Sequence, residues 1–154
     1  MATLLAVDLG LRTGFALHGD DGRLRWYRSQ NFCALPRLRR AAYSILHDLP
    51  DLQWLVLEGG GTLADSWQKE AERQAIPVLQ TSAEVWRQVL LYPRQQRSGV
   101  AAKQHADRLA RAMIEWSGAP RPTSLRHDAA EAILIGLWGV LQVGWLPTVP
   151  FVRV

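Results

Sequence analysis

The stretch LLAVDLGLRTGFALHGDDGRLRWYRS, Leu4 to Ser29, decides the fold. From about Thr3 to Val7 the chain is continuously apolar, the mark of a central strand covered on both faces. Gly14 to His18 reads as a second strand. Asp20-Asp21-Gly22 is a turn signal, and Leu24 to Ser29 alternates as a third strand. Together they predict an antiparallel meander.

Working outward, Leu35 to Leu49 has helical periodicity, with Leu35, Leu38, Ala42, Ile45, Leu46 and Leu49 on one face and Pro50 as the stop. Trp54 to Leu57 is a further short buried strand that ends at Glu58, and the glycines 59–61 follow it. Leu63 to Gln74 is expected to be a helix and Pro77 to Gln80 a strand. Ser82 stands as an N-cap before Val85, Trp86, Val89 and Leu90. Pro93 to Gly99 is a polar, basic loop, Val100 to Trp116 a helix, and Pro120 and Pro122 mark a loop. RHDAAEAILIGLWG, Arg126 to Gly139, opens the last helix. Three strands followed by alternating strands and helices predict an α/β layered sheet, in one domain over residues 1–154.

Bulk composition narrows the partners. At 48% hydrophobic and 21% charged residues the chain is ordinary globular protein rather than disordered. Lys+Arg number 18 against 14 Asp+Glu, a net charge of +4, and Lys69 and Lys103 are the only lysines. Arginine is the side chain for bidentate phosphate contact, so a nucleic-acid partner is permitted. Cys33 is the only cysteine, which rules out an intramolecular disulfide and a cysteine-built zinc site and fits a cytoplasmic location. No basic segment precedes the first apolar run and Asp8 interrupts it, so a signal peptide is not expected. Gln142 and glycines interrupt the apolar segment Ala132–Leu146, which falls short of the roughly 18 apolar residues of a membrane span. It reads as a core helix with a tail.

Four acids stand out. Asp8 and Glu58 each end an apolar strand, and strands one and four of such a sheet can be neighbours. Asp128 and Glu131 are one turn apart and share a helix face. Taken singly, each has a plain reading. Asp8 is a turn former before Gly10, Glu58 a loop carboxylate, and Asp128 a first-turn acid that complements the helix dipole. Taken together, they predict one pocket in which four carboxylates repel and raise one another's pKa until cations compensate them. Such hard oxygen ligands suit Mg²⁺ or Mn²⁺. Two such ions about 4 Å apart clamp the attacking and leaving oxygens of a phosphodiester displacement.

LLAVDLGLRTGFAL, WLVLEGG, SGVAAKQHADRLARAMIEW and HDAAEAILIGLW follow one another in the order and spacing of the RuvC-type nucleases. The chain therefore resembles the Holliday-junction resolvases of the ribonuclease H-like superfamily, in a compact form like those of phages and mobile elements. The resemblance implies a mixed five-stranded sheet flanked by helices. It also implies a metal-dependent endonuclease acting on branched DNA, with Asp8, Glu58, Asp128 and Glu131 as metal ligands for two ions. Lys103 occupies the place of a lysine that the resolvases carry, which implies contact with the scissile phosphate or stabilisation of charge in the transition state; its plain reading is a solvated helix lysine. A homodimer is expected, because symmetric nicking of a four-way junction needs two sites. Two departures stand out. Glu131 replaces the usual aspartate, and the segment from Glu58 to Pro77 is shorter than the dimerising helix of the bacterial resolvases.

Around the basic loop, Arg87, Arg94, Arg97, Lys103, Arg108 and Arg111 form a band that would track phosphates and make binding salt-sensitive, or else a solvated face. Arg37, Arg39 and Arg40 read as a solvated cluster. His127 either orients Asp128, moves a proton, or caps the helix. Trp67 and Trp86 are candidates for base stacking or a subunit contact. The glycine triplet either admits a DNA backbone or simply turns. Three other functions compete: a nuclease acting on RNA or RNA–DNA hybrid, a silent branched-DNA-binding protein, and a sugar-kinase-like ATPase. The last is disfavoured, because 154 residues cannot hold two lobes.

Overall fold

The computed structural model describes residues 1–152. Five strands, β1 (Thr3–Asp8), β2 (Arg12–Gly19), β3 (Leu24–Asn31), β4 (Leu52–Glu58) and β5 (Val78–Thr81), form one sheet in the order β3-β2-β1-β4-β5. The first three make the antiparallel meander, while β4 joins β1 and β5 joins β4 in parallel. The helices are α1 (Leu35–His47), α2 (Gly61–Arg73), α3 (Ala83–Leu90), α4 (Gly99–Ser117) and α5 (His127–Gln142). This is the mixed α/β sheet expected. The parallel pair β4–β5 needs a crossover, which α2 supplies.

The apolar run of β1 is buried on both faces because strand geometry alternates its side chains. Leu5 and Val7 point to one side and meet α1 and α2 through Leu38, Ala42, Leu46, Trp67 and Ala71. Leu4 and Ala6 point to the other and meet α3, α4 and α5 through Trp86, Leu109, Met113 and the body of α5. Three layers result, with two apolar seams.

α5 is a core helix. Every residue from Ala129 to Val140 is buried, so it is apolar all round. It lies close to the sheet at glycines. A Cβ on Gly136 would stand 2.2 Å from His18 Nε2, and one on Gly139 would stand 2.8 Å from Val56 Cγ2. His18 is fully buried there, and burial pushes its pKa down to about 4, so it packs as a neutral ring. After Gln142 the chain turns at Gly144 (φ 80°), and Trp145 and Leu146 fold back on the same seam. No helix among the described residues is long and apolar enough to cross a membrane.

Two local expectations shift. The basic loop after α3 contains a 3-10 turn over Pro93–Gln96. Its cause is local: the fixed φ of Pro93 starts the turn, and the Gln95 side chain accepts the Tyr92 N–H at 2.8 Å and is buried. α2 begins at Gly61, two residues before the expected Leu63. Ser82 caps α3 as expected, accepting from the Val85 N–H at 3.3 Å; Ser98 also caps α4, accepting from the Ala101 N–H at 3.0 Å.

Candidate active site

The sheet places one row of residues at a single level across all five strands. Asp8 pairs with Gly14 on one side and Glu58 on the other, Gly14 pairs with Ser29, and Glu58 pairs with Thr81. Alternation aims the row: Asp8 follows Leu4 and Ala6, and Glu58 follows Val56, so both acids rise on the α5 side. The two strand-end carboxylates are thus neighbours, and they are hydrogen-bonded to each other.

The N-terminus of α5 lands on this row at Gly14. A Cβ on Gly14 would stand 1.9 Å from the Asp128 carbonyl oxygen, so only glycine lets the helix come down here. Asp128 is then held by β3, its Oδ2 accepting the Ser29 hydroxyl at 2.8 Å while Oδ1 accepts the Ala129 N–H at 2.9 Å. One turn on, Glu131 turns toward α3. Its Oε1 accepts from Arg87 Nη2 at 3.0 Å and lies 2.9 Å from His127 Nε2, and its side chain is only 8% exposed.

The electrostatics follow from this crowding. Burial first, then the charges of Glu58 and Glu131, the hydrogen bond to Glu58 and the charge of Asp128 push the Asp8 pKa up to about 8. Glu58 is also raised by burial and by Glu131, against the pull of the hydrogen bond from Asp8, the Arg87 charge and the Ala83 N–H. The pair therefore shares one proton, with Asp8 as the donor. The charges of Glu58, Glu131 and Asp128 all act on Asp8, and that of Glu131 also acts on Glu58.

No family model and no curated protein matches the chain. Solved structures do. Thermus thermophilus RuvC in complex with a Holliday junction substrate superposes with a TM-score of 0.64 at 16% identity, over 94% of this chain and 97% of that one. Another structure of Thermus thermophilus RuvC gives 0.65 at 15% identity, over 92% and 95%. The large terminase nuclease of the thermophilic phage G20c, with bound zinc, gives 0.50 at 14% identity, over 92% and 80%. The chain has the ribonuclease H-like fold of RuvC.

On this RuvC-like frame the remaining residues divide. Arg87 leaves the band to which the sequence reading assigns it. It is 23% exposed and bonded to Glu131, because α3 carries it next to buried Trp86 on the side facing α5. Arg94 is exposed with its guanidinium 4.8 Å from the Tyr92 ring centroid. Arg111 is tied to Asp107 at 2.9 Å. Arg97, Lys103 and Arg108 are exposed, and Lys103, Gln104, Asp107 and Arg108 line one shallow surface pocket on α4. Arg37, Arg39 and Arg40 are exposed on α1, as expected. Trp67 and Trp86 are both completely buried, so neither offers a face for base stacking or a subunit contact. Trp67 packs edge-on against Phe15 in the core.

Two contributors escape sequence reasoning. Ser29 has no motif around it and reaches Asp128 only through the β2–β3 register. The inward turn of Arg87 depends on the packing of α3 against α5. The one available signal was the parity of Ser29 with Gly14 in the meander.

As for a metal, no three His, Cys, Asp or Glu side chains among the described residues converge on one ion position. The donor set nonetheless fits a hard cation. Asp8 and Glu58 form a two-carboxylate cradle in which a proton now offsets the charge, and Asp128 and Glu131 border it with side chains engaged by protein donors. A divalent cation would replace the proton and draw on these oxygens.

Proposed function

We propose that the chain is a divalent-metal-dependent endonuclease that cleaves phosphodiesters in branched DNA such as four-way junctions. The observation that carries this reading is the Asp8–Glu58 pair, in register on adjacent strands under the head of α5, with Asp8 pushed up to about 8. Such a buried excess of carboxylate is costly unless it binds cations. The structural likeness to a RuvC solved on a Holliday junction supports the substrate class.

Asp8, Glu58, Asp128 and Glu131 would hold Mg²⁺ or Mn²⁺, two ions per site. When bound, the ions supply Lewis-acid activation of water and charge neutralisation at the phosphate. The chain's residues do the rest. Asp8 gives up its proton on loading. Ser29 keeps Asp128 aimed at the row. Arg94, Arg97, Arg108 and Arg111 follow the backbone phosphates, and Lys103 steadies charge developing on the scissile phosphate. Water adds to phosphorus and the bond to the 3′ oxygen breaks, leaving a 5′-phosphate and a 3′-hydroxyl. Two copies acting together account for paired nicks in a symmetric junction.

The test incubates the protein with Mg²⁺ or Mn²⁺ and end-labelled four-way, three-way, flap, duplex and RNA–DNA hybrid substrates, alongside Asp8→Asn. Paired junction nicks that fall by about a thousandfold or more in the variant are expected, since metal-centre stabilisation amounts to several kcal/mol. Cleavage confined to hybrid or RNA would move the substrate to ribonuclease chemistry. Tight junction binding without cleavage under either metal would leave only a DNA-binding protein.

A further inference from the structure

Glu131 differs from the other three acids in being held by a permanent cation. Arg87 Nη2 donates to its Oε1 at 3.0 Å, and His127 Nε2 lies 2.9 Å from the same oxygen. Arginine cannot lose its charge in a protein.

Arg87 is itself a fixed group. Its guanidinium carbon lies 5.3 Å from the ring centroid of Trp86, which is completely buried. Its backbone carbonyl accepts from Gln96 Nε2 at 3.3 Å, pinning α3 to the turn that follows it. Its Nε is buried without a hydrogen-bond partner, a cost accepted only where the rest of the fork is firmly engaged. The charge reaches beyond Glu131, since it also pulls the Glu58 carboxyl down against the lift from burial. A guanidinium is thus built into the acidic cluster at the place where a metal reading needs Glu131 free.

A divalent ion that used Glu131 would compete with this guanidinium for the same carboxylate, and the two cations would repel each other. We propose that Arg87 is a positioning residue that latches Glu131, so that the ion which uses Glu131 must displace it. The latch rests on the metal-dependent nuclease reading and sharpens it. Asp8 and Glu58 load first, because the β1–β4 register already holds them side by side. The step that recruits Glu131 is weaker, because it separates a buried ion pair. Arg87 therefore sets the divalent-ion concentration at which the centre fills. It acts through Glu131 rather than on the phosphate, which is why it stands apart from the exposed arginines.

The experiment is calorimetric titration of the full chain with Mn²⁺ alone, without DNA, comparing the native protein with Arg87→Gln and Arg87→Lys. Glutamine keeps a donor for Glu131 and removes the charge; lysine keeps the charge and loses the fork. In Arg87→Gln the Mn²⁺ concentration that half-saturates the weaker step should fall at least about tenfold, within the range usual for two coupled sites. In Arg87→Lys it should stay within about threefold of native, because the competing charge remains. An unchanged or raised concentration in a folded Arg87→Gln protein overturns the latch and leaves the nuclease reading intact. If Arg87→Gln does not fold, a change of about tenfold or more in Arg87→Lys overturns the latch in the same way. Absence of Mn²⁺ binding in both native and Arg87→Gln protein overturns the nuclease reading and the latch with it.

Discussion

The two halves of the acidic cluster are built differently. Asp8 and Glu58 come from strands, and the hydrogen-bond ladder of β1 and β4 fixes them side by side. They cannot part, so they share a proton. Asp128 and Glu131 come from a helix, and each reaches away from the pair to a partner far off in sequence, Ser29 or Arg87. A sheet thus imposes charge crowding through backbone geometry, while a helix end offers carboxylates whose aim depends on what the rest of the chain places nearby. The strand pair concentrates negative charge by its register, and the helix pair is engaged by partners elsewhere in the fold.

The largest expected effect tests the strand pair by itself. In the metal-free folded protein Asp8 keeps its proton to about pH 8, whereas in the unfolded chain it loses it above about 3.8. Between those values the folded state binds more protons, so stability falls as pH rises, by up to about tenfold in the unfolding constant per pH unit. Urea unfolding in a chelator at several pH values should show this slope, and Asp8→Asn should flatten it. A native protein whose stability is level or rises across that window would contradict the shared proton.

A smaller effect separates the halves. Gly14→Ala drives a Cβ into the Asp128 carbonyl and should cost about 1–3 kcal/mol, as overpacking does. It lifts the head of α5 but leaves the β1–β4 register alone. The pH slope should therefore persist in the variant while chemical denaturation shows the loss. Disappearance of both would mean that the two pairs form one rigid unit.

Smallest is Ser29→Ala, which removes one partly buried hydrogen bond to a carboxylate. A loss of about 1 kcal/mol is expected in thermal melts. The Arg87–Glu131 pair should be untouched, so Mn²⁺ binding should change less than in the Arg87 variants. An equal change would show that Ser29 and Arg87 govern the same step.

Much of this was legible beforehand because it is written in local periodicity. A short run apolar at every position fits a strand covered on both faces, and Leu4–Val7 in β1 and Leu55–Leu57 in β4 are buried in that way. Acids at the ends of two such strands meet if the strands are neighbours, and the parallel β1–β4 pairing makes Asp8 and Glu58 partners. The serine cap at Ser82 holds because capping is an interaction across three residues. Where the reading missed, contacts were long-range. Arg87 looked like one more arginine beside a basic loop, since nothing in its neighbourhood records that α5 will present Glu131 to it across 44 positions. Trp67 and Trp86 were open to a surface role, since a tryptophan on an amphipathic helix does not state how deep it will sit.

What the sequence determined by itself was the set of elements, their order and the four acids, because strand and helix periods and strand-end positions are local properties of the chain. What only the tertiary structure decided was the aim of those acids. The sheet register put Ser29, Gly14, Asp8, Glu58 and Thr81 in one row, and the landing of α5 on Gly14 set Asp128 above it. The packing of α3 against α5 turned Arg87 from a surface cation into the partner of a buried carboxylate. Charges act through space rather than along the chain, so their effect could not be known until the fold had placed them.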